Sequence, residues 1–271
     1  MVIRRMEAAD LDAADALLRA AFALPERSFV PRLQRYVALE PDGWWVAEDA
    51  QGALAGTVGT LVYGGFAYVG LMAVAPAAQS RGLGRVLLGH ALEGLAVRGV
   101  GCAVLDATVA GARLYEQMGF VDAGTTVDFV RAGGTGGAPA APSGELGAAV
   151  AVDRRCFGAD RTPMWARLAS EGFSLFTQGT AGALVLQPGH IGPWVADDPD
   201  VARALLTRAL AAVPADQPVR VQVPGENIAG AALLRAAGFE ARKTLRHMRR
   251  GDLAAVPAWA RLYGKGSYCL G

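Results

Sequence analysis

The stretch Gln79-Ser80-Arg81-Gly82-Leu83-Gly84-Arg85 joins an apolar run, Tyr68 to Pro76, to a segment with Leu83, Val86, Leu87, Ala91 and Leu95 on one side. The run reads as a buried strand and the segment as an amphipathic helix. A glycine-punctuated turn entering a helix is a place for an anion, because free N–H groups and the positive end of the helix dipole meet there. Glycine at 82 and 84 removes the Cβ atoms that would hold a diphosphate away from the backbone. The spacing G-x-G alone is weak, since 35 glycines in 271 residues give roughly four to five such pairs by chance. A Walker-type loop does not fit, because no Lys-Ser or Lys-Thr pair follows the glycines. A dinucleotide fingerprint is equally poor: the third glycine is missing and the strand lies far from the start of the chain.

These residues need elements to hold them. Between the glycine turn and a second stretch, Leu105 to Phe120, there is room for one helix, Leu83 to about Val97, and one strand, Cys102 to Ala107. Leu105 to Phe120 itself reads as strand, turn, short helix and strand. Trp44 to Glu48 is a further strand, and Gly64-Gly65 suits a tight turn between Tyr63 and Phe66. The small-residue stretch Ala132 to Gly144 has no apolar period and reads as a linker.

The chain beyond the linker repeats the part before it. Ala110-Gly111-Ala112-x-Leu114 with Gly119-Phe120 recurs as Ala229-Gly230-Ala231-x-Leu233 with Gly238-Phe239, and Ile191 to Ala196 with Val201 to Val213 repeats the strand and helix. The second copy lacks the glycine turn. It carries Asp197-Asp198-Pro199-Asp200 there, carboxylates that favour a helix N-terminus but repel a diphosphate. Leu234 stands where the first copy has Tyr115.

Composition sets outer bounds. The length allows one large or two ordinary domains with real cores. A net charge of +1 provides no global field for nucleic acid or an anionic membrane. No apolar run is long enough to span a bilayer and no signal peptide is evident, so a cytoplasmic setting is expected. Cys102, Cys156 and Cys269, like His90, His190 and His247, form no metal-ligand spacing. There are only two lysines, Lys243 and Lys265, an imbalance against arginine that looks like genome bias.

The spacing Val74-x-Pro76-x-x-Gln79-x-Arg81-Gly82-x-Gly84-x-x-Leu87 resembles the acyl-CoA signature of the GNAT acyltransferase superfamily, Q/R-x-x-G-x-G/A. Leu114-Tyr115-Glu116-x-x-Gly119-Phe120 resembles the GNAT segment L-Y-E-x-x-G-F. Phe157-Gly158-Ala159-Asp160-Arg161, with the Leu-Asp-Ala-Thr before Tyr115, is similar to a tandem subgroup that pairs an active N-terminal unit with a degenerate C-terminal one. The resemblance implies an α/β (α+β) architecture of two tandem GNAT folds, each a central mixed, mostly antiparallel sheet flanked by helices. It implies a catalytic domain at 1–131, a linker at 132–144 and a degenerate GNAT-like domain at 145–271.

The activity so implied is N-acetyl transfer from acetyl-CoA, a cosubstrate, to an amine of a small molecule or peptide by direct attack, in a monomer or homodimer. The alternative is a non-catalytic protein that binds or senses acyl-CoA. The backbone of Met72, Ala73 and Val74 would pair with pantetheine, and Gln79, Ser80, Arg81, Gly82, Leu83, Gly84 and Arg85 would wrap the pyrophosphate. Tyr115 is the expected general acid, since a phenol near pKa ~10 keeps its proton where a thiol near ~8.5 begins to lose it. Many GNATs carry a glutamate on the strand before the loop, where this chain has Gly70, Leu71 and Met72. Asp106 is therefore the expected base, with Glu48 and a water chain as alternatives. Thr108 stands where other GNATs often have asparagine. The acceptor wall is expected from Phe22 to Phe29 and the turn at Tyr63 to Phe66, with Trp165 and Asp160 as possible additions.

Overall fold

The computed structural model describes residues 1–136, 143–252 and 257–271, so 137–142 of the expected linker lie outside the described residues. In chain order the elements are β1 (Val2–Arg5), α1 (Leu11–Phe22), α2 (Val30–Leu39), β2 (Trp44–Glu48), β3 (Leu54–Tyr63), β4 (Phe66–Val74), α3 (Leu83–Val97), β5 (Cys102–Ala107), α4 (Val109–Gln117) and β6 (Val121–Arg131). They continue as α5 (Leu146–Phe157), α6 (Thr162–Ser170), β7 (Ser174–Gln178), β8 (Gly182–Gln187), β9 (His190–Ala196), α7 (Pro199–Ala211), β10 (Val219–Pro224), α8 (Ile228–Ala236), β11 (Glu240–Arg250) and β12 (Leu262–Gly264). Two compact units result. The first holds Met1–Leu105 and Ala110–Val121 with a short piece beginning at Arg249, and the second holds Asp106–Val109, Asp122–Met248 and the stretch ending at Gly271.

In the first unit the strand order is β1-β2-β3-β4-β5. All neighbours are antiparallel except β4 and β5, which are parallel. A tight turn with Gly64 at φ +62° joins β3 to β4. Helix α3 buries Leu83, Leu87, Ala91 and Leu95, as sequence spacing expects, and adds Leu88, while Val86, expected on the same side, is exposed. Full burial of each such leucine contributes about 1.5–3 kcal/mol over leaving it in water. Helices α1 and α3 both pack on β3 and β4, which fixes the start of α3 at the end of β4.

The second unit repeats the plan with β11-β6-β10-β9-β8-β7, and β12 pairs with β9. Its core gathers Phe176, Leu184, Ile191 and Trp194 from strands with Ala202, Leu205, Leu206 and Ala209 from α7. The mixed, mostly antiparallel sheets with flanking helices are those expected from the sequence. Strand β6, placed by sequence order in 1–131, lies antiparallel to β10 with Val127 opposite Val223 and Phe129 opposite Val221, and Phe129 is part of the second core. The start of the expected linker is also fastened: Gly134 and Thr135 donate their N–H groups to the carbonyls of Pro214 and Leu210.

Candidate active site

Strand β4 is irregular where the chemistry is expected. Thr57 of β3 faces Ala73, but Gly59 faces Gly70, so β4 carries one residue more than β3 between the two pairs. Leu71 absorbs the difference at φ +45°, a left-handed conformation uncommon for a residue with a bulky side chain. Such bulges leave backbone groups out of the ladder and gather at functional sites. On its other side β4 is paired with β5 only from Phe66 opposite Cys102 to Tyr68 opposite Val104. Beyond Tyr68, β4 runs on to Val74 without a further pair to β5 among the described residues.

The turn between β4 and α3 is built for an anion. Ser80 and Gly82 both adopt positive φ, +62° and +82°, and alternation of this kind turns successive N–H groups toward one point. Gly82 is the N-cap residue of α3, and its carbonyl accepts from Arg85 and Val86 at 3.0 and 3.2 Å. The N–H groups of Leu83 and Gly84, in the first turn, have no acceptor within the helix. The two glycines do different work. At Gly82 a side chain would meet open space, so the constraint is its backbone angle. At Gly84 a Cβ would stand 3.2 Å from Leu114 Cδ2 and 3.4 Å from Met72 Cε, so the missing side chain lets β4, α3 and α4 meet.

The side chains around the turn are sorted by the structure. Gln79 Nε2 donates to the Val74 carbonyl at 3.1 Å, tying the turn to the strand end. Arg81 is exposed. Arg85, expected to add charge to the cradle, donates instead to Gln117 Oε1 at 2.5 Å and reaches Met118 Sδ at 3.7 Å, both at the end of α4.

Tyr115 is half-buried on α4 and packs edge-on against Phe120 at 5.8 Å between ring centroids. Here the motif explains itself in part. Phe120 N–H donates to the Tyr115 carbonyl and Gly119 N–H to that of Glu116, each at 3.0 Å, and Gly119 sits at φ +83°. This is a Schellman helix end. The second unit repeats it with Phe239 on Leu234 and Gly238 on Arg235. Since Leu234 ends its helix equally well, helix termination accounts for Gly-Phe and for an apolar partner, but not for the phenol of Tyr115.

Asp106 requires a correction. It belongs to the second unit, its side chain is 0% exposed, and Lys265 Nζ lies 2.8 Å from Oδ2. Thr126 Oγ1 donates to Oδ1 at 2.7 Å and His247 Nδ1 lies 3.0 Å from the same oxygen. Burial alone would raise its pKa, but the Lys265 ammonium and the His247 hydrogen bond outweigh that and hold it well below the usual carboxylate range. A carboxylate so held is a poor base and has no route to an incoming ammonium. His247 and Lys265 lie too far along the chain from Asp106 for any local spacing to pair them. Glu48 is likewise engaged, gripping Arg4 at 2.5 Å while Arg4 also holds Asp10 at 2.7 Å.

The expected acceptor wall divides in the same way. Tyr63 and Phe66 are buried, so these rings pack the interior. Trp165 is interior to the second unit, and Asp160 accepts from the Thr162 amide at the start of α6. The α1–α2 connection has an organiser that sequence reading missed. Asp15, buried on α1, accepts from the Phe29 amide at 2.5 Å and pairs with Arg19 at 2.9 Å. Among the described residues no cluster of His, Cys, Asp and Glu could hold a metal ion, and no helix is long and apolar enough to cross a membrane.

Comparison with known proteins decides the lineage. A GNAT acetyltransferase domain model matches residues 40–122 and a second one matches 149–264. Two GNAT acetyltransferase domains stand in tandem in this chain. Acyl-CoA-dependent acyl transfer is the general chemistry of that family. A Pyrococcus horikoshii protein provisionally named an acetyltransferase has the same fold with TM-score 0.88 at 24% identity, covering 100% of this chain and 95% of its own. A GCN5-related N-acetyltransferase from Sphaerobacter thermophilus is similar with TM-score 0.70 at 19% identity, covering 95% of this chain and 98% of its own. No curated protein matches the sequence.

Proposed function

We propose that the first unit transfers an acyl group, acetyl foremost, from acyl-CoA to the amine of a small molecule or peptide by direct attack. One observation carries this reading. Strand β4 parts from β5 after Tyr68, bulges at Leu71, and leads into the left-handed turn that opens α3. A pantetheine arm in the gap would find the N–H and C=O groups of Met72, Ala73 and Val74 as strand partners. A diphosphate would meet the amides from Ser80 to Gly84, where the open space at Gly82 fits it.

The thioester supplies the activated acyl group, and the chain's own residues do the rest. A bulge N–H near Met72 steadies negative charge on the carbonyl oxygen. Tyr115 delivers its phenolic proton to the departing sulfur. The C–S bond breaks as the C–N bond forms, and the amine's surplus proton passes to water, since Asp106 is engaged by Lys265. A second reading, coenzyme binding without turnover, is favoured by that same engagement. Titration of free thiol released from acetyl-CoA across a panel of amines tests the pair. Thiol release that requires an amine supports the transferase; micromolar CoA binding with no release for any amine supports the second reading.

A further inference from the structure

The two units can be aligned from their own hydrogen bonds. In the first, Gly56 faces Val74 and the Ala75 amide donates to Ala55. In the second, Gly182 faces Ala196 and the Asp197 amide donates to Ala181. Val74 therefore corresponds to Ala196, Ala73 to Val195 and Met72 to Trp194. The bulge is kept as well, since Leu184 faces Trp194 and Leu186 faces Ile191. So is the parting of the parallel strands: β9 and β10 are paired at His190 opposite Arg220 and Ile191 opposite Val221, and not beyond.

In the second unit that gap is filled. Strand β12 pairs antiparallel with β9, Leu262 opposite Val195 and Gly264 opposite Trp194, the counterparts of Ala73 and Met72. Its other edge is stitched to the far lip. The Leu262 carbonyl accepts from Asn227 Nδ2 at 3.0 Å, and the Lys265 amide donates to the Gln222 carbonyl of β10 at 2.8 Å. Tyr263 packs on Trp194 at 5.2 Å. A Cβ on Gly264 would stand 3.1 Å from Val221 Cγ1 and 3.2 Å from the Ile191 carbonyl, so a side chain there would need its neighbours to give by a few tenths of an ångström, and glycine lets the strand lie close between the lips. The helix end is occupied too: Asp198 Oδ1 accepts from the Asp200 and Val201 amides, both at 2.9 Å, at the start of α7 where α3 offers unpaired amides.

We propose that the second unit's coenzyme cleft is closed from within, strand 262–264 lying where pantetheine would pair and the Asp198 carboxylate standing where a phosphate would sit. On this view the chain binds one acyl-CoA, in the first unit, which rests on the function proposed above. It also gives Asp106 its work, as the anchor of Lys265 directly after the inserted strand. The second unit keeps the GNAT frame because part of its own chain replaces the ligand that would otherwise complete its sheet.

Calorimetry with CoA on the full chain, combined with hydrogen exchange at Gly264 and Lys265, tests this. The expected result is one site per chain, with these two amides protected and unaffected by saturating CoA. Gly82→Asp, which sets a carboxylate at the N-cap of α3 on a left-handed backbone unlike the extended one of Asp198, is expected to weaken CoA binding more than tenfold with no second site revealed. Two sites in the unmodified chain, undiminished binding in Gly82→Asp with a folded first unit, or faster exchange at 264–265 on adding CoA would overturn the proposal. If no CoA binds and both amides stay protected, the closed cleft is supported and the coenzyme role of the first unit is what fails.

Discussion

Tyr115 and Leu234 hold the same place in the same helix ending, yet only one carries a hydroxyl. That contrast isolates the phenol. Tyr115→Phe keeps the ring, its packing on Phe120 and the helix end, so melting temperature and CoA affinity should stay close to wild type. Turnover should fall by about a hundredfold or more, the usual worth of a positioned acid, which thiol-release kinetics beside calorimetry will read. Asp106 behaves in the opposite way. Asp106→Asn leaves the Lys265 ammonium buried without its counter-charge, a loss of about 3–5 kcal/mol measurable by denaturant unfolding. Because the folded carboxyl is held below its ordinary value, its contribution is present above the unfolded pKa near ~3.9 and fades as pH falls toward the lower folded value. Wild-type stability should therefore drop on acidification by a component that the variant lacks. The glycine turn and Tyr115 were legible because their chemistry is local, a matter of neighbours along the chain. Asp106 was not, since the groups that decide its charge come from β11 and the stretch after β12.

Elements show the same division. Helix Leu83–Val97 and strand Cys102–Ala107 could be read from apolar period and punctuation. The bulge at Leu71 could not, because glycine stands one position earlier and leucine ordinarily avoids positive φ. The pairing of β6 with β10 was hidden for another reason: consecutive strands usually lie side by side, and sequence order says nothing of which register buries Phe129. The α1–α2 connection depends on a single carboxylate, Asp15, that reaches the Phe29 amide from mid-helix. Asp15→Ala should loosen that connection. If it lines the acceptor side, KM for the amine should rise several-fold while the CoA dissociation constant stays within twofold, and exchange at the Phe29 amide should quicken in either case.

For the molecule as a whole, duplication was plain from the repeated Gly-Phe endings and the missing glycine turn, but the closure of one copy was not. Leu262–Gly264 is too short to announce a strand and gains its meaning only from the gap it enters. A chain whose nearest expected carboxylate is locked away should also show a simple pH dependence. The value of kcat/KM should climb with pH in step with the free-base fraction of the acceptor, without a plateau set by an enzyme carboxylate, and should shift in parallel when a less basic amine is used. The ion pair that locks Asp106 has a practical corollary. Of the two lysines, Lys265 is 1% exposed while Lys243 lies open to solvent. Among the side chains, succinimidyl reagents should therefore acylate Lys243 and spare Lys265, leaving the N-terminal amine as their other target, so peptide mapping after labelling would read out the burial of the ion pair directly.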